Sequence, residues 1–476
     1  MSVSLSPAEL IVVVIPEAAP TVFTPGPTAR AIRVFTQLQA DLEKSNAFLR
    51  PLFEYPMGRA PSMTFGPSRD FGPTEFFQVV APEEDLKSLQ AFVQEHEAVQ
   101  AAFIKPPSTV PNINQMTASP SAPATQTANF QPKQGYLSPA PEGIDAMSAW
   151  QHPGGRGDGV NIIDLEWGWL FTHEDLIHNC RGLLRGTNHP QKDHGTAVLG
   201  EMGGNDNGFG ITGICPAATI AAVSFNNVPN NIPSAKAIAY ATSIAQPGDI
   251  LLLEIHRPGP RFDFQERDDQ KGYIAIEWWP DDFLAIRAAV AQGLFVVEAA
   301  GNGAENLDDP LYDTPDGFPQ DWTNPFNRAN RDSGAIIVGA GAPPSGNFGP
   351  DRSRLDFSNF GRCVDAQGWG REVVTTGYGD LQGGSNPDRF YSAEFSGTSS
   401  ASPIVVGALA CLQGYMRASG KLLTPNTARR ILRVTGSPQP LPARNQSIER
   451  IGNRPDLKQA IEFVASGLLG GSEPAI

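Results

Sequence analysis

The chain has 476 residues, 40% of them hydrophobic, and a formal net charge of −15. This length exceeds one ordinary domain and can bury a sizeable core. The acidic balance disfavours nucleic acid and anionic membrane as partners, and no apolar run approaches a membrane-spanning length. Met1 to Glu17 lacks a basic region and a small-residue cleavage site, so a cytoplasmic location is expected unless export takes another route. Four cysteines, Cys180, Cys215, Cys363 and Cys411, are too few for a disulfide scaffold. None sits beside a histidine at ligand spacing, so no zinc is expected; a Cys180–Cys215 bridge stays open.

In chain order, the first hundred residues predict a strand over Leu10–Pro16, a helix over Pro27–Leu52 and an irregular Pro/Gly stretch. A strand over Phe76–Val80, a helix over Pro82–Glu95 and a strand over Val99–Lys105 follow. The second helix is the clearest, with Pro82, Glu83, Glu84 and Asp85 suited to its first turn and Leu86, Leu89, Phe92 and Val93 on one face. Residues 1–107 therefore read as a small α+β domain of ferredoxin-like type. Residues 108–140, rich in Pro, Ser, Thr, Ala, Asn and Gln, read as a linker.

From residue 141 strands and helices alternate: Val160–Asp164, a helix from His194, Thr219–Ser224, a helix Ser234–Ile244, Ile250–Ile255, a helix Asp281–Ala291, Leu294–Glu298 and Ala335–Gly339. Such alternation predicts an α/β domain over 141–466 with a parallel sheet covered on both faces and ligands at the carboxyl ends of its strands. Two helices, one capped by Thr424-Pro425 and one from Pro455, close it, and the tail over 467–476 is expected to be mobile.

The chemistry gathers around Ser396-Gly397-Thr398-Ser399-Ser400-Ala401-Ser402-Pro403, where small residues lead into the apolar helix Ile404 to Leu412. A hydroxyl there is open to close approach and its amide N–H is free to stabilise negative charge, so Ser399 is the candidate nucleophile; an ordinary Ser/Thr cap is the plain alternative. Serine needs a base, a group to orient that base and an oxyanion donor. His194 in Asp193-His194-Gly195-Thr196, Asp164 at the end of Val160-Asn161-Ile162-Ile163, and Asn302 in Ala299-Ala300-Gly301-Asn302-Gly303 are the candidates.

These four motifs, in this order, resemble those of the subtilisin-like serine proteases over roughly residues 141 to 465. The resemblance implies a subtilisin-like fold, a triad of Asp164, His194 and Ser399, and Asn302 as oxyanion donor. Having His194 and Asn302 separates the chain from the related sedolisins, which use Glu and Asp for acid–base work. By its position, the N-terminal domain looks like the family's inhibitory prodomain, an intramolecular partner besides the peptide or protein substrate. A cut is expected between about Ser108 and Ala140.

No catalytic cofactor is implied. A structural calcium ion is, because Gly204 to Gly210 matches the spacing of the family's calcium loop and His173-Glu174-Asp175-Leu176 resembles the element that supplies an Asp to it. Asp175, Asn207 and the carbonyls of Asn205, Phe209 and Ile211 would be the ligands; a plain Asn/Gly turn is the other reading.

The departures are Leu253 to Gly259 in place of a Ser/Leu/Gly-rich substrate strand, Glu298 before the Ala-Ala-Gly-Asn element, Ala366 to Gly370, and Leu165-Glu166-Trp167 directly after Asp164. Glu254 or Glu298 would favour a basic residue before the cut if either faces the groove. The activity expected is that of a serine endopeptidase made as a self-processing zymogen. A dedicated processing peptidase or transpeptidase and a silent binding protein on the same scaffold are the alternatives.

Overall fold

In the computed structural model of the chain, residues 7–15, 29–53, 75–111, 126–227, 231–313, 315–441 and 449–467 are described. The expected helix start at Pro27 and nearly all of the expected tail lie outside them. The N-terminal unit runs β1 (Glu9–Val14), α1 (Ala29–Glu43), β2 (Phe48–Pro51), β3 (Phe76–Val80), α2 (Leu86–Gln94) and β4 (Val99–Lys105). Its antiparallel sheet has the order β2-β3-β1-β4, the ferredoxin-like arrangement. The first helix ends earlier than expected because Asn46 turns with φ of 51°, and Phe48–Pro51 becomes an edge strand.

Strand β1 explains itself by burial. Leu10, Val12 and Val14 pack with Val34, Leu38, Phe77, Leu89 and Val93 under the two helices. Ile11 and Val13 on the opposite face join Phe76, Ala101 and Phe103 in one core with Ile274, Trp278 and Tyr312 of the following unit. An antiparallel strand with two buried faces reads as a continuous apolar run, as Leu10 to Val14 does.

The second unit comprises α3 (Ala146–Ala149), β5 (Asn161–Glu166), β6 (Cys180–Arg185), α4 (Asp193–Gly203), β7 (Thr219–Ser224), α5 (Ser234–Ile244), β8 (Ile250–Leu253), β9 (His256–Pro258) and β10 (Tyr273–Ala275). It continues with α6 (Pro280–Ala291), β11 (Phe295–Ala299), β12 (Ile336–Gly341), β13 (Val364–Trp369), β14 (Val373–Thr376), β15 (Tyr391–Phe395), α7 (Thr398–Ala418), α8 (Pro425–Val434) and α9 (Leu457–Ala465). The sheet has seven parallel strands in the order β13-β12-β11-β8-β5-β7-β6. The edge strands β6 and β13 and the ribbon β9–β10 went unforeseen, since their sequences carry neither a long apolar run nor clear alternation.

Part of the expected linker is structured. Residues 126–140 lie on the second unit: Tyr136 and Leu137 are fully buried, Tyr136 donates to the Val374 carbonyl at 2.9 Å, and Gln134 exchanges two bonds with the Thr212 backbone. Apolar anchors hidden in a polar composition hold it there. All four cysteines are free, and among the described residues no helix is long and apolar enough to cross a membrane.

Candidate active site

Strand β5 places two carboxylates on one face, because side chains two apart in a strand point the same way. Asp164 is the deeper and Glu166 stands at the carboxyl end, where the strand runs two residues beyond the expected stop. His194 is the second residue of α4, and its Nδ1 lies 2.5 Å from Oε2 of Glu166. Gly195 permits this approach, since a Cβ there would sit 2.0 Å from Glu166 Oε1.

The expected role of Asp164 is therefore corrected by the geometry. Its Oδ2 accepts from the Trp169 indole N–H at 2.7 Å, and Glu166 occupies the place beside the imidazole. Burial, with the Glu166 charge adding, pushes the Asp164 carboxyl well above the usual range. Burial also pushes the Glu166 carboxyl up, and it pushes His194 down to about 3.

On its far side, His194 Nε2 lies 2.9 Å from Ser399 Oγ. Ser399 is the second residue of α7, a helix buried almost throughout because it is apolar on every side. Its backbone N–H belongs to the first turn, which has no acceptor within the helix. Asn302 follows β11, is buried, and is oriented by Thr398, whose N–H and hydroxyl donate to its Oδ1 at 2.9 and 3.0 Å. The geometry thus gathers His194, Ser399 and Asn302, as expected, and adds Glu166, Trp169 and Thr398.

The groove already holds a piece of the chain. Thr109 forms an antiparallel bridge with His256, the two exchanging backbone bonds of 3.2 and 3.0 Å. Two residues on, the Pro111 carbonyl accepts from Ser399 Oγ at 2.7 Å. Gly397 makes room for it: its φ is 113°, and a Cβ there would meet the Pro111 oxygen at 2.2 Å. A peptide carbonyl thus lies at a hydroxyl that a histidine can deprotonate, beside an amide side chain.

Glu254 and Glu298 are both fully buried. Glu254 accepts from Ser402 Oγ on α7, and Glu298 is pushed well above the usual carboxylate range by burial and by its neighbour Glu277. Arg257 turns to the N-terminal unit, pairing with Glu9 at 2.5 Å.

At the expected calcium loop, hydrogen-bond donors gather on the Asp175 carboxylate. Asp175 Oδ1 accepts from Asn207 Nδ2 at 2.7 Å, and Oδ2 accepts from the Ile211 N–H and the Tyr391 hydroxyl, both at 2.8 Å. Asn207 Oδ1 accepts from the Phe209 N–H at 3.1 Å, which sets the end of the amide that faces Asp175. The Asn205 N–H donates to the Asp175 carbonyl at 2.8 Å. Calcium takes six to eight oxygens; here hydrogen-bond donors meet both oxygens of Asp175, and Asn207 turns its amide nitrogen to that carboxylate, an arrangement that ties the loop without an ion.

A covered parallel sheet with a Ser–His–carboxylate line at its carboxyl end defines the class of hydrolases that use an activated serine. Within it, the pattern describing the subtilase family (Peptidase S8) matches residues 183–453, and the chain belongs to that family of serine proteases. The match begins after β5, so it bears on neither Asp164 nor Glu166. An intracellular serine protease of Paenibacillus polymyxa is 28% identical over 292 residues, 58% of this chain and 73% of its own length. The major intracellular serine protease of Bacillus subtilis (strain 168) is 25% identical over 295 residues, 58% of this chain and 75% of its own. The crystal structure of the epidermin leader peptide processing serine protease EpiP from Staphylococcus aureus matches 98% of this chain and 100% of its own with a TM-score of 0.55. At 17% identity that likeness speaks for the fold alone.

Proposed function

We propose that the chain is a serine endopeptidase made as a zymogen that cuts itself after Pro111. Ser399 attacks the peptide carbonyl, His194 takes and returns the proton, Glu166 holds the imidazole, and Asn302 with the Ser399 N–H receives the oxyanion. The N-terminal unit then acts as an intramolecular inhibitor through Ser108–Pro111. The observation that carries this reading is the Pro111 carbonyl 2.7 Å from Ser399 Oγ while that oxygen lies 2.9 Å from His194 Nε2. With the hydroxyl proton on the Pro111 oxygen the arrangement is a resting one; rotating it to Nε2 readies the attack. A tethered segment enjoys a high effective concentration, so modest affinity keeps the groove occupied until the cut. A cytoplasmic site of action is part of the proposal, supported by the two intracellular relatives.

Mass spectrometry of wild type and Ser399→Ala tests it. Wild type should yield a fragment beginning at Asn112, and Ser399→Ala should stay whole. Turnover on peptides should fall about a million-fold in Ser399→Ala or His194→Ala and about a hundred- to a thousand-fold in Asn302→Ala, the losses seen for such groups in related enzymes. Intact wild type with full peptide activity would refute the zymogen reading.

A further inference from the structure

The ribbon β9–β10 and its connecting loop bring one more side chain into the groove. Gln270 is buried, at 7% exposure, with a left-handed φ of 54°. The loop is pinned on both sides: the Tyr273 N–H donates to the Gln270 carbonyl at 3.1 Å, and the Gly272 N–H to the Gly303 carbonyl at 3.0 Å. Holding a non-glycine residue at positive φ is strained, and such strain persists where the surroundings over-determine it. Gln270 Nε2 donates to the Val110 carbonyl at 3.2 Å, and its Oε1 accepts from Asn302 Nδ2 at 3.1 Å.

The polarity of this relay is set from its two ends. The Thr398 N–H can only donate, so Asn302 must turn Oδ1 towards it and Nδ2 away. The Val110 carbonyl can only accept, so Gln270 must turn Nε2 towards it and Oε1 towards Asn302. A peptide in the groove thus completes a line of bonds that runs from the main chain one residue before Pro111 to the amide beside the Pro111 carbonyl.

We propose that Gln270 is a substrate-gripping and positioning residue: it binds the main-chain carbonyl of the second residue before the scissile bond and through that contact orients Asn302. This rests on the reading of Ser399 and Asn302 above. Because the contact is to main chain, it selects for extended peptide rather than for a side chain. Without that carbonyl the Gln270 amide is free to turn, and Asn302 loses its lateral partner.

The test uses two ester substrates built on acetyl-Ser-Thr-Val-Pro, the sequence of residues 108–111, one normal and one with the Val–Pro amide replaced by an E-alkene. Gln270→Gly removes the side chain and relieves the left-handed backbone; Gln270→Glu keeps an acceptor for Asn302 and loses the donor for the carbonyl. On the normal ester both variants should lose about ten- to a hundred-fold in kcat/KM, mostly in kcat, at near wild-type melting temperature. Wild type should lose the same factor on the alkene ester, and variant and alkene together should cost no more than either alone. Additive losses, or a normal-ester loss below about threefold, would overturn the proposal. Failure of wild type to hydrolyse either ester, or hydrolysis undiminished in Ser399→Ala, would instead bring down the underlying reading, and this inference with it.

Discussion

At the residue scale, the issue is which of two carboxylates on one face of β5 serves His194. The Glu166 contact at 2.5 Å predicts that Glu166→Gln lowers kcat by about ten-thousand-fold, as neutralising the orienting acid does in serine proteases generally, because an amide favours the wrong imidazole tautomer. Asp164→Asn, which keeps an oxygen for the Trp169 N–H, should cost far less. Steady-state kinetics on one peptide decide it, and a larger loss at Asp164 would reverse the assignment. The imidazole also sets a pH expectation. Burial lowers the His194 pKa to about 3, so the neutral, proton-accepting form persists as pH falls through the ordinary histidine value of 6.5. The acid limb of kcat/KM should therefore lie below pH 6.5; a limb at or above 6.5 would contradict the buried setting.

Among elements, the loop from Gly204 to Gly210 and the segment around Asp175 hold each other by hydrogen bonds that leave the carboxylate filled. Excess chelator or added calcium should leave the melting temperature unchanged. Asp175→Ala, which leaves the buried Ile211 N–H without its acceptor and frees the Asn207 amide, should lower stability by about 1–3 kcal/mol with or without calcium. A melting temperature that falls on chelation in wild type and not in Asp175→Ala would restore the metal. The Asn/Gly-rich loop was legible in the sequence, but not whether its polar groups converge on an ion or on each other. That depends on Tyr391, more than two hundred residues from Asp175.

Across the whole molecule, the N-terminal unit is joined to the catalytic one by an apolar sheet face and by a buried ionic knot. Fully buried Lys105 lies 2.6 Å from Asp281 and 2.7 Å from Asp282 in the first turn of α6, and 3.6 Å from Glu9, which Arg257 also meets. Burial works against both charges, yet Asp281 and Asp282 raise Lys105, and Lys105 with Arg257 lowers Glu9, so both ionised forms prevail. Removing one member leaves the others uncompensated at a cost of about 3–5 kcal/mol. Lys105→Met in the full-length chain should therefore loosen the N-terminal unit and shorten the lag before peptide hydrolysis by about tenfold or more. An unchanged lag in a progress-curve assay would make the knot structural only.

By itself the sequence determined the α/β alternation, the run of small residues that opens the buried helix bearing Ser399, and the glycine-flanked settings of His194 and Asn302. Each of these is a local pattern: an apolar period, a run of small residues, a glycine beside a functional group. The choice of Asp164 as orienting acid from sequence fell two residues short: Asp164 and Glu166 share one strand face, and only the arrival of α4 at the strand's end and of Trp169 beside Asp164 puts Glu166 at the imidazole. Gln270, the seating of Ser108–Pro111 in the groove and the Lys105 knot had no local signature. They join residues more than a hundred positions apart, and which polar groups meet in a buried site is decided by packing, because a desolvated donor or acceptor must find its partner wherever the fold brings one.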